Sequence, residues 1–265
     1  MVDYHLHTPL CRHALGSLEE YLAAAEQKGL KEIGIADHFP LELLGFAPEA
    51  QVTMEAEELP GYVESVLRLS SRSGPTGVKL GIEADYIPGT EERLERELSR
   101  YPWDYVIGSV HFMDGWDFSH PFFVQEYEKR DLVAVYDRYF QLVREACRTG
   151  LFDTIGHPDV IKKFGYRPEV DLEPYWVEIA SVLKETGTCF ELNTSGLDTP
   201  AEEFYPGRPF LEILCRAGVG VTLGSDAHEP ESVGRHFDRA LALLRQVGFK
   251  ELAVFSRRQR LSLPL

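Results

Sequence analysis

The sequence predicts an α/β fold, a single (β/α) barrel spanning residues 1–265 with about seven parallel strands. Two observations carry that prediction. Apolar runs of strand length alternate with longer stretches of helical period, about seven times along the chain. A length of 265 residues is long for an average domain but ordinary for one barrel.

The first strand is "VDYHLH" (Val2 to His7). "EIGIADH" (Glu32 to His38), "KLGIEAD" (Lys79 to Asp85) and "DYVIGSVH" (Asp104 to His111) follow as buried strands. "DTIGHPD" (Asp153 to Asp159), "TCFELNTSG" (Thr188 to Gly196) and "GVTLGSDAH" (Gly220 to His228) complete the seven. "ELAVF" (Glu251 to Phe255) reads as a further short strand.

The connecting stretches carry helix signals. "SLEEYLAAAEQKGL" opens on Ser17 with Glu20 three residues later, a capping box, and closes at Gly29. In "LVAVYDRYFQLVREAC", Leu132, Val135, Tyr136, Tyr139, Phe140, Val143 and Cys147 share one face at i, i+3/i+4 spacing. "ESVGRHFDRALALLRQVG" ends in a glycine cap at Gly248. Strand–helix repetition implies parallel strands joined by right-handed crossovers. Irregular stretches from Phe39 to Thr53 and from Phe112 to Tyr127 follow the second and fourth strands, on the side where barrel loops shape a pocket.

Composition narrows the classes of function. With 44% hydrophobic residues the chain can bury a large core. No apolar run approaches the roughly 20 residues of a membrane span, and no basic-then-apolar leader precedes Val2. No membrane partner and a cytoplasmic location are expected. The formal charge of −16 disfavours a nucleic-acid partner. Cys11, Cys147, Cys189 and Cys215 form no CxxC pair and read as free thiols, with Cys147 and Cys215 on apolar helix faces.

The chemistry lies at the strand ends. Strand one delivers His5 and His7, two residues apart and so on the same side of the strand. His13 follows in the next loop. Later strands end in Asp37 and His38, Glu83 and Asp85, His111, His157 and Asp159, Glu191 and Asn193, and Asp226 and His228. In a parallel barrel these ends share one face. A lone strand-end histidine is usually a packing or hydrogen-bonding residue. Seven histidines with several acids at equivalent positions are a metal site.

The ligand set is His5, His7, His13, His38, Glu83, His111, His157, Asp226 and His228. That exceeds what one ion uses, so two or three divalent ions are expected, with Glu83 bridging two of them. Asp37 and Asp159 are ligands, orienters of imidazoles or acid/base groups. Asp85 and Glu191 are assigned to the helix-facing side. His120 and His236 are assigned to the surface.

"HLHT", "CRH", "ADH", "GIEADY", "GSVHF", "GHPD", "ELNTSG" and "SDAH", in that order from Asp3 to His236, resemble the PHP (polymerase and histidinol phosphatase) family. The resemblance implies a distorted seven-stranded (β/α) barrel with a three-metal site of zinc, iron or manganese. It also implies one ion on His5, His7, Glu83 and Asp226, a second on Glu83, His111 and His157, and a third on His13, His38 and His228.

Within the family, the combination of "CRHA", "GIEADYIPG", "GSVHF", "GHPDVIKKFG", "ELNTSGL" and "GSDAHEPESVG" most resembles members that hydrolyse L-histidinol phosphate, so the resemblance implies action on that small phosphate monoester in histidine biosynthesis. The implied mechanism is in-line attack on phosphorus by a hydroxide bridging two ions. Asp159, Asp37 or His228 would relay a proton to the leaving alkoxide. Arg208 is the first candidate cation for the phosphate, with Arg12, Lys162 and Lys163 behind it. Glu42, Phe39 and the aromatics of "HFMDGWDF" are candidates for the histidinol end.

Two other hydrolase readings compete. One is a family member acting on another small ester or a nucleotide. The other is a metal amidohydrolase, which would not need His13, His38 and His228. A metal-storage or regulatory role fits poorly with ligands gathered at a barrel mouth beside candidate phosphate cations.

Overall fold

The computed structural model describes all 265 residues. In chain order it contains β1 (Val2–Leu6), α1 (Leu18–Gln27), β2 (Glu32–Ile35), α2 (Leu59–Ser70), β3 (Gly77–Asp85), α3 (Glu91–Leu98) and β4 (Tyr105–Ser109). A two-residue hairpin, β5 (Phe112–Met113) and β6 (Trp116–Asp117), precedes α4 (Leu132–Arg148). Then come β7 (Thr154–Ile155), α5 (Glu173–Thr186), β8 (Cys189–Asn193), α6 (Arg208–Ala217), β9 (Val221–Gly224), α7 (Phe237–Val247) and a final hairpin, β10 (Glu251–Ser256) with β11 (Gln259–Pro264).

Seven strands pair in parallel in the order β1-β2-β3-β4-β7-β8-β9. The ring closes where the chain leaves β9: the His7 amide donates to the Ala227 carbonyl at 3.0 Å and the Ala227 amide donates to the His5 carbonyl at 3.1 Å. Closure thus falls at the C-terminal rim. The expected barrel with metal-binding strand ends on one face is what forms. "ELAVF" becomes β10, but it pairs antiparallel with β11 and is not a barrel strand.

The barrel interior is filled by aromatics against glycines. Tyr105 lies so close to Gly34 and Gly81 that a Cβ at either would come within 2.0 and 2.3 Å of it. Its hydroxyl donates to the Tyr4 carbonyl at 2.6 Å, and Phe255 of the final hairpin packs on both tyrosines. Burial of each such ring contributes about 2–3 kcal/mol. One contiguous core of 74 buried residues results. This bottom layer is the rigid floor beneath the strand ends.

Local expectations hold at α1, where Ser17 and Glu20 form the reciprocal capping box, and at α4, whose apolar face is buried. All four cysteines are free thiols, Cys147 buried and Cys215 half-buried. α7 begins at Phe237, later than its periodic pattern. Residues 230–236 are diverted to the barrel rim: the Gly234 amide donates to Asp3 at 2.8 Å, and the Arg235 guanidinium donates to the carbonyls of Ser225 and Asp226 at 2.8 and 2.9 Å. No helix is long and apolar enough to cross a membrane.

Candidate metal centre

The strand ends converge on a cavity of about 400 Å³. Glu83, near the end of β3, is its centre and is 1% exposed. Its two oxygens face different groups. Oε2 lies 3.2 Å from His5 Nε2 and 3.6 Å from His7 Nε2. Asp226 Oδ1 closes that group, 3.2 Å from His7 Nε2 and 3.9 Å from His5 Nε2. Oε1 lies 3.0 Å from His157 Nε2 and 3.7 Å from His111 Nε2, and those two nitrogens are 3.2 Å apart. Ligands about 2.0–2.1 Å from a tetrahedral ion sit about 3.3 Å from one another. Both groups have that spacing.

His13, His38 and His228 stand at the outer rim around His7. The rings of His7 and His228 stack at 4.1 Å and those of His13 and His228 at 4.6 Å. His38 leans inward, its Nδ1 3.0 Å from Glu83 Oε2. It groups with His7 and His228 more closely than with His13.

The donors fit cations and little else. Buried atoms without a hydrogen-bond partner include His5 Nε2, both ring nitrogens of His7, Glu83 Oε2 and His228 Nε2. Orphans of this kind cost about 1–3 kcal/mol each unless something pairs with them. Neutral imidazoles and carboxylates are a donor set for zinc, iron or manganese. Burial holds His38 and His228 well below the ordinary histidine pKa, and burial and His7 lower His13, so all three are neutral imidazoles at neutral pH. Burial opposes charge on Glu83, but His5 and His111 outweigh it and keep the carboxylate ionised.

A supporting layer fixes the imidazoles. Glu191 Oε1 lies 2.7 Å from His5 Nδ1, and its other oxygen accepts from the His157 amide at 2.9 Å. Asp85 Oδ1 lies 3.0 Å from His111 Nδ1. Each carboxylate accepts Nδ1–H and leaves Nε2 free to ligate. The assignment of Asp85 and Glu191 to the helix side is therefore corrected. The signal was present, since Asp85 shares the strand parity of Glu83, and Glu191 that of Asn193. His157 and Asp226 carry φ of 27° and 52°, left-handed values that cost about 1–3 kcal/mol in such residues.

Several other candidates lie elsewhere. Arg208, in the first turn of α6, is 57% exposed and pairs with Glu212 at 2.8 Å, so it does not reach the cavity. Arg12 pairs with Glu58 at 2.6 Å and anchors the 9–13 loop. Lys162 is buried and donates to Asp159 at 2.7 Å, Glu203 at 2.9 Å and the Phe204 carbonyl at 3.0 Å, which saturate it. Asp159 also accepts from the Gly207 amide at 2.9 Å and does not line the cavity. Asp37 is fully buried beside His7, accepts from the amides of Thr8 and His38, and does not line the cavity. His228 reaches the cavity, but its Nδ1 donates to the Asp226 carbonyl at 3.1 Å, leaving a lone pair suited to ligation and no proton to give.

Lys163 is the cation that lines the cavity, its Nζ donating to the Ser119 carbonyl at 3.0 Å. Asp117, Phe112 and His120 form the opposite wall. His120, expected on the surface, lines the mouth because its ring caps the turn at Phe122. His236 pairs with Asp198 at 2.8 Å, away from the cavity. Of the other histidinol-end candidates, Phe39 is buried and Glu42 accepts from the Ala56 amide.

Known proteins share this architecture. The PHP domain model matches residues 3–195. A Deinococcus radiodurans protein named a probable histidinol-phosphatase is 42% identical over 94% of both chains. A Lactococcus lactis histidinol-phosphatase is 24% identical over 96% of this chain and 94% of its own length. The crystal structure of histidinol phosphate phosphatase from Lactococcus lactis, complexed with zinc, L-histidinol and phosphate, superposes with a TM-score of 0.85 at 21% identity over 98% of each chain, which extends the likeness to the whole fold. A family model covering most of the chain and a relative at that identity make the assignment: this chain belongs to the PHP domain family.

Proposed function

We propose that this chain is a metal-dependent phosphomonoesterase that hydrolyses L-histidinol phosphate to L-histidinol and phosphate in histidine biosynthesis. One observation carries the chemistry. The two oxygens of Glu83 face separate donor groups, as a carboxylate bridging two ions must. The names of the relatives supply the ester. Four free thiols and a biosynthetic reaction support a cytoplasmic location as part of this reading.

His5, His7, Glu83 and Asp226 would hold one ion, Glu83, His111 and His157 a second, and His13, His38 and His228 a third. Zinc, iron and manganese all suit these donors. When bound, such ions neutralise phosphate charge and acidify a water enough to attack phosphorus in line.

The protein's own groups do the rest. Glu191 and Asp85 hold the tautomers of His5 and His111. Lys163 grips a phosphate oxygen, a role Arg208 is too distant to fill. Asp117 meets the cationic amine of the alcohol, with Phe112 and His120 as walls for its imidazole.

The test is phosphate release from L-histidinol phosphate against a panel of phosphate monoesters and diesters, after separate loading with zinc, iron(II) or manganese. Strong preference for L-histidinol phosphate is expected. Turnover of another ester with L-histidinol phosphate ignored would discard the substrate and keep the hydrolase.

A further inference from the structure

Cys11 belongs to none of the ligand sets described so far, yet it lies among them. It is fully buried, at 0% exposure. Its sulfur lies within 4.8 Å of a ring nitrogen of His13 and of His228, and all three donors are mutually within that distance. On its other side, His7 and Asp37 form a second such group with it.

The loop is built to hold it there. Thr8 caps the turn at Pro9, the Cys11 amide donates to the Thr8 carbonyl at 3.1 Å, and Arg12 adopts a left-handed φ of 74° that turns His13 back toward the barrel. The Arg12 pair with Glu58 locks the turn from outside.

Both histidines of that group keep a free lone pair. His13 Nδ1 lies 2.7 Å from the Cys11 carbonyl and His228 Nδ1 lies 3.1 Å from the Asp226 carbonyl. A carbonyl only accepts, so both Nδ1 atoms carry the proton and both Nε2 atoms are unprotonated. His228 Nε2 is buried without a partner, and so are both nitrogens of the fully buried His7. A neutral thiol is a poor match for so many orphaned lone pairs. A cation shared by Cys11, His13 and His228 would pair with the His228 lone pair, while His7 Nε2 faces Glu83 and Asp226 of the inner group.

Building on the metal-centre reading, we propose that Cys11 is a ligand of the ion held by His13 and His228. The outermost position then has a sulfur–imidazole donor set that favours zinc over manganese. As the Sγ–metal bond forms, the Sγ–H bond breaks and its proton passes to buffer. Thiolate is a soft donor, whereas the inner positions around Glu83 offer only imidazole and carboxylate. The three positions are therefore unequal, and the outer one discriminates most sharply among metals.

The test replaces the resident ions of the full chain with cobalt(II) and reads the near-ultraviolet sulfur-to-cobalt charge-transfer band. Zinc-edge X-ray absorption is measured on the zinc-loaded chain. The expected results are a charge-transfer band in the unaltered protein and a sulfur scatterer at about 2.3 Å.

Cys11→Ala and Cys11→Ser should both abolish the band. Zinc affinity of one ion should fall about tenfold or more, with manganese affinity changed far less. A full complement of cobalt with no such band, or a band that survives in both variants, would overturn the assignment and leave the metal centre standing. Failure to bind any ion would overturn both. The spectra of the unaltered protein decide the matter even if the variants fold poorly.

Discussion

Glu83→Gln is the sharpest perturbation of the centre, because it changes two atoms and almost no volume. Each carboxylate oxygen now faces one donor group, at 3.0–3.7 Å from the nearest imidazole nitrogens. In the amide, one of those atoms becomes an NH2 that cannot ligate. If it faces His111 and His157, that ion is left with two protein ligands in place of three. If it faces His5 and His7, the other ion loses one of four. Either way both ions lose the shared negative charge. A unit charge about 4 Å away is worth about 4 kcal/mol at an effective dielectric constant of about 20. That predicts a loss on the order of 10³-fold in affinity for at least one ion.

The assay is metal content by mass spectrometry after dialysis, paired with phosphate release. The variant should retain at least one ion fewer per chain and lose activity in parallel. Full metal content with full activity would refute the bridging arrangement. Full metal content with lost activity would show that Glu83 acts on substrate and not on the ions.

The remaining expectations are more local. Lys163→Ala should lower kcat/KM for the phosphate ester about tenfold or more, since a hydrogen bond to a charged group is worth about 1.5–3 kcal/mol, whereas Arg208→Ala should leave both kcat and KM unchanged. A raised KM in the Arg208 variant alone would reverse that choice. Gly224→Ala should cost stability and metal content together, because its Cβ would stand 1.8 Å from Glu191 Oε1 and 2.6 Å from His5 Cβ; a fully loaded variant would show that the Glu191–His5 contact is dispensable. In the metal-free protein, burial opposes charge on His7 and His111, but Asp226 and Asp37 for the first and Asp85 and Glu83 for the second raise each pKa to about 9. A raised pKa stabilises fully below the unfolded value of about 6.5 and is lost as pH rises through about 9, worth about 3 kcal/mol per histidine. Thermal unfolding of chelator-stripped protein should therefore fall across that window while the zinc-loaded protein changes less, and a flat or rising metal-free curve would contradict the coupling.

Much of this was legible in the chain because a parallel barrel turns sequence order into spatial convergence. Once strands were recognised by their apolar runs, their last residues had to share a face, and His5, His7, Glu83, His111, His157 and Asp226 followed. Strand parity alone could have placed Asp85 beside Glu83. Arg208 could have been discounted as well, because Glu212 lies four residues on along the same helix. Other features depend on contacts that no local pattern encodes. Lys162 and Lys163 are adjacent on a short 3₁₀ turn, and the identity of the cavity-facing one is set by Asp159 and Glu203 capturing the first. The late start of α7 is likewise set by Asp3 and the 225–226 turn, more than 200 positions from Asp3 in sequence.

The overall charge and the proposed substrate are reconciled at the cavity. A chain of net charge −16 should repel a phosphate ester. Yet Glu83 and Asp226 are the only carboxylates in the proposed ligand set, and divalent ions on that set more than cancel them. The field therefore reverses over a few ångströms, within about one Debye length at physiological salt. Beyond that distance the net negative charge of the chain acts again, and Asp117 stands at the cavity wall itself. A small ester with a cationic alcohol portion satisfies both regions, phosphate inward and amine outward. A polyanionic strand must lie along the acidic exterior to reach the same ions. Discrimination against nucleic acid then needs no dedicated barrier, and it should weaken as salt screens the exterior while the inner site is largely unaffected.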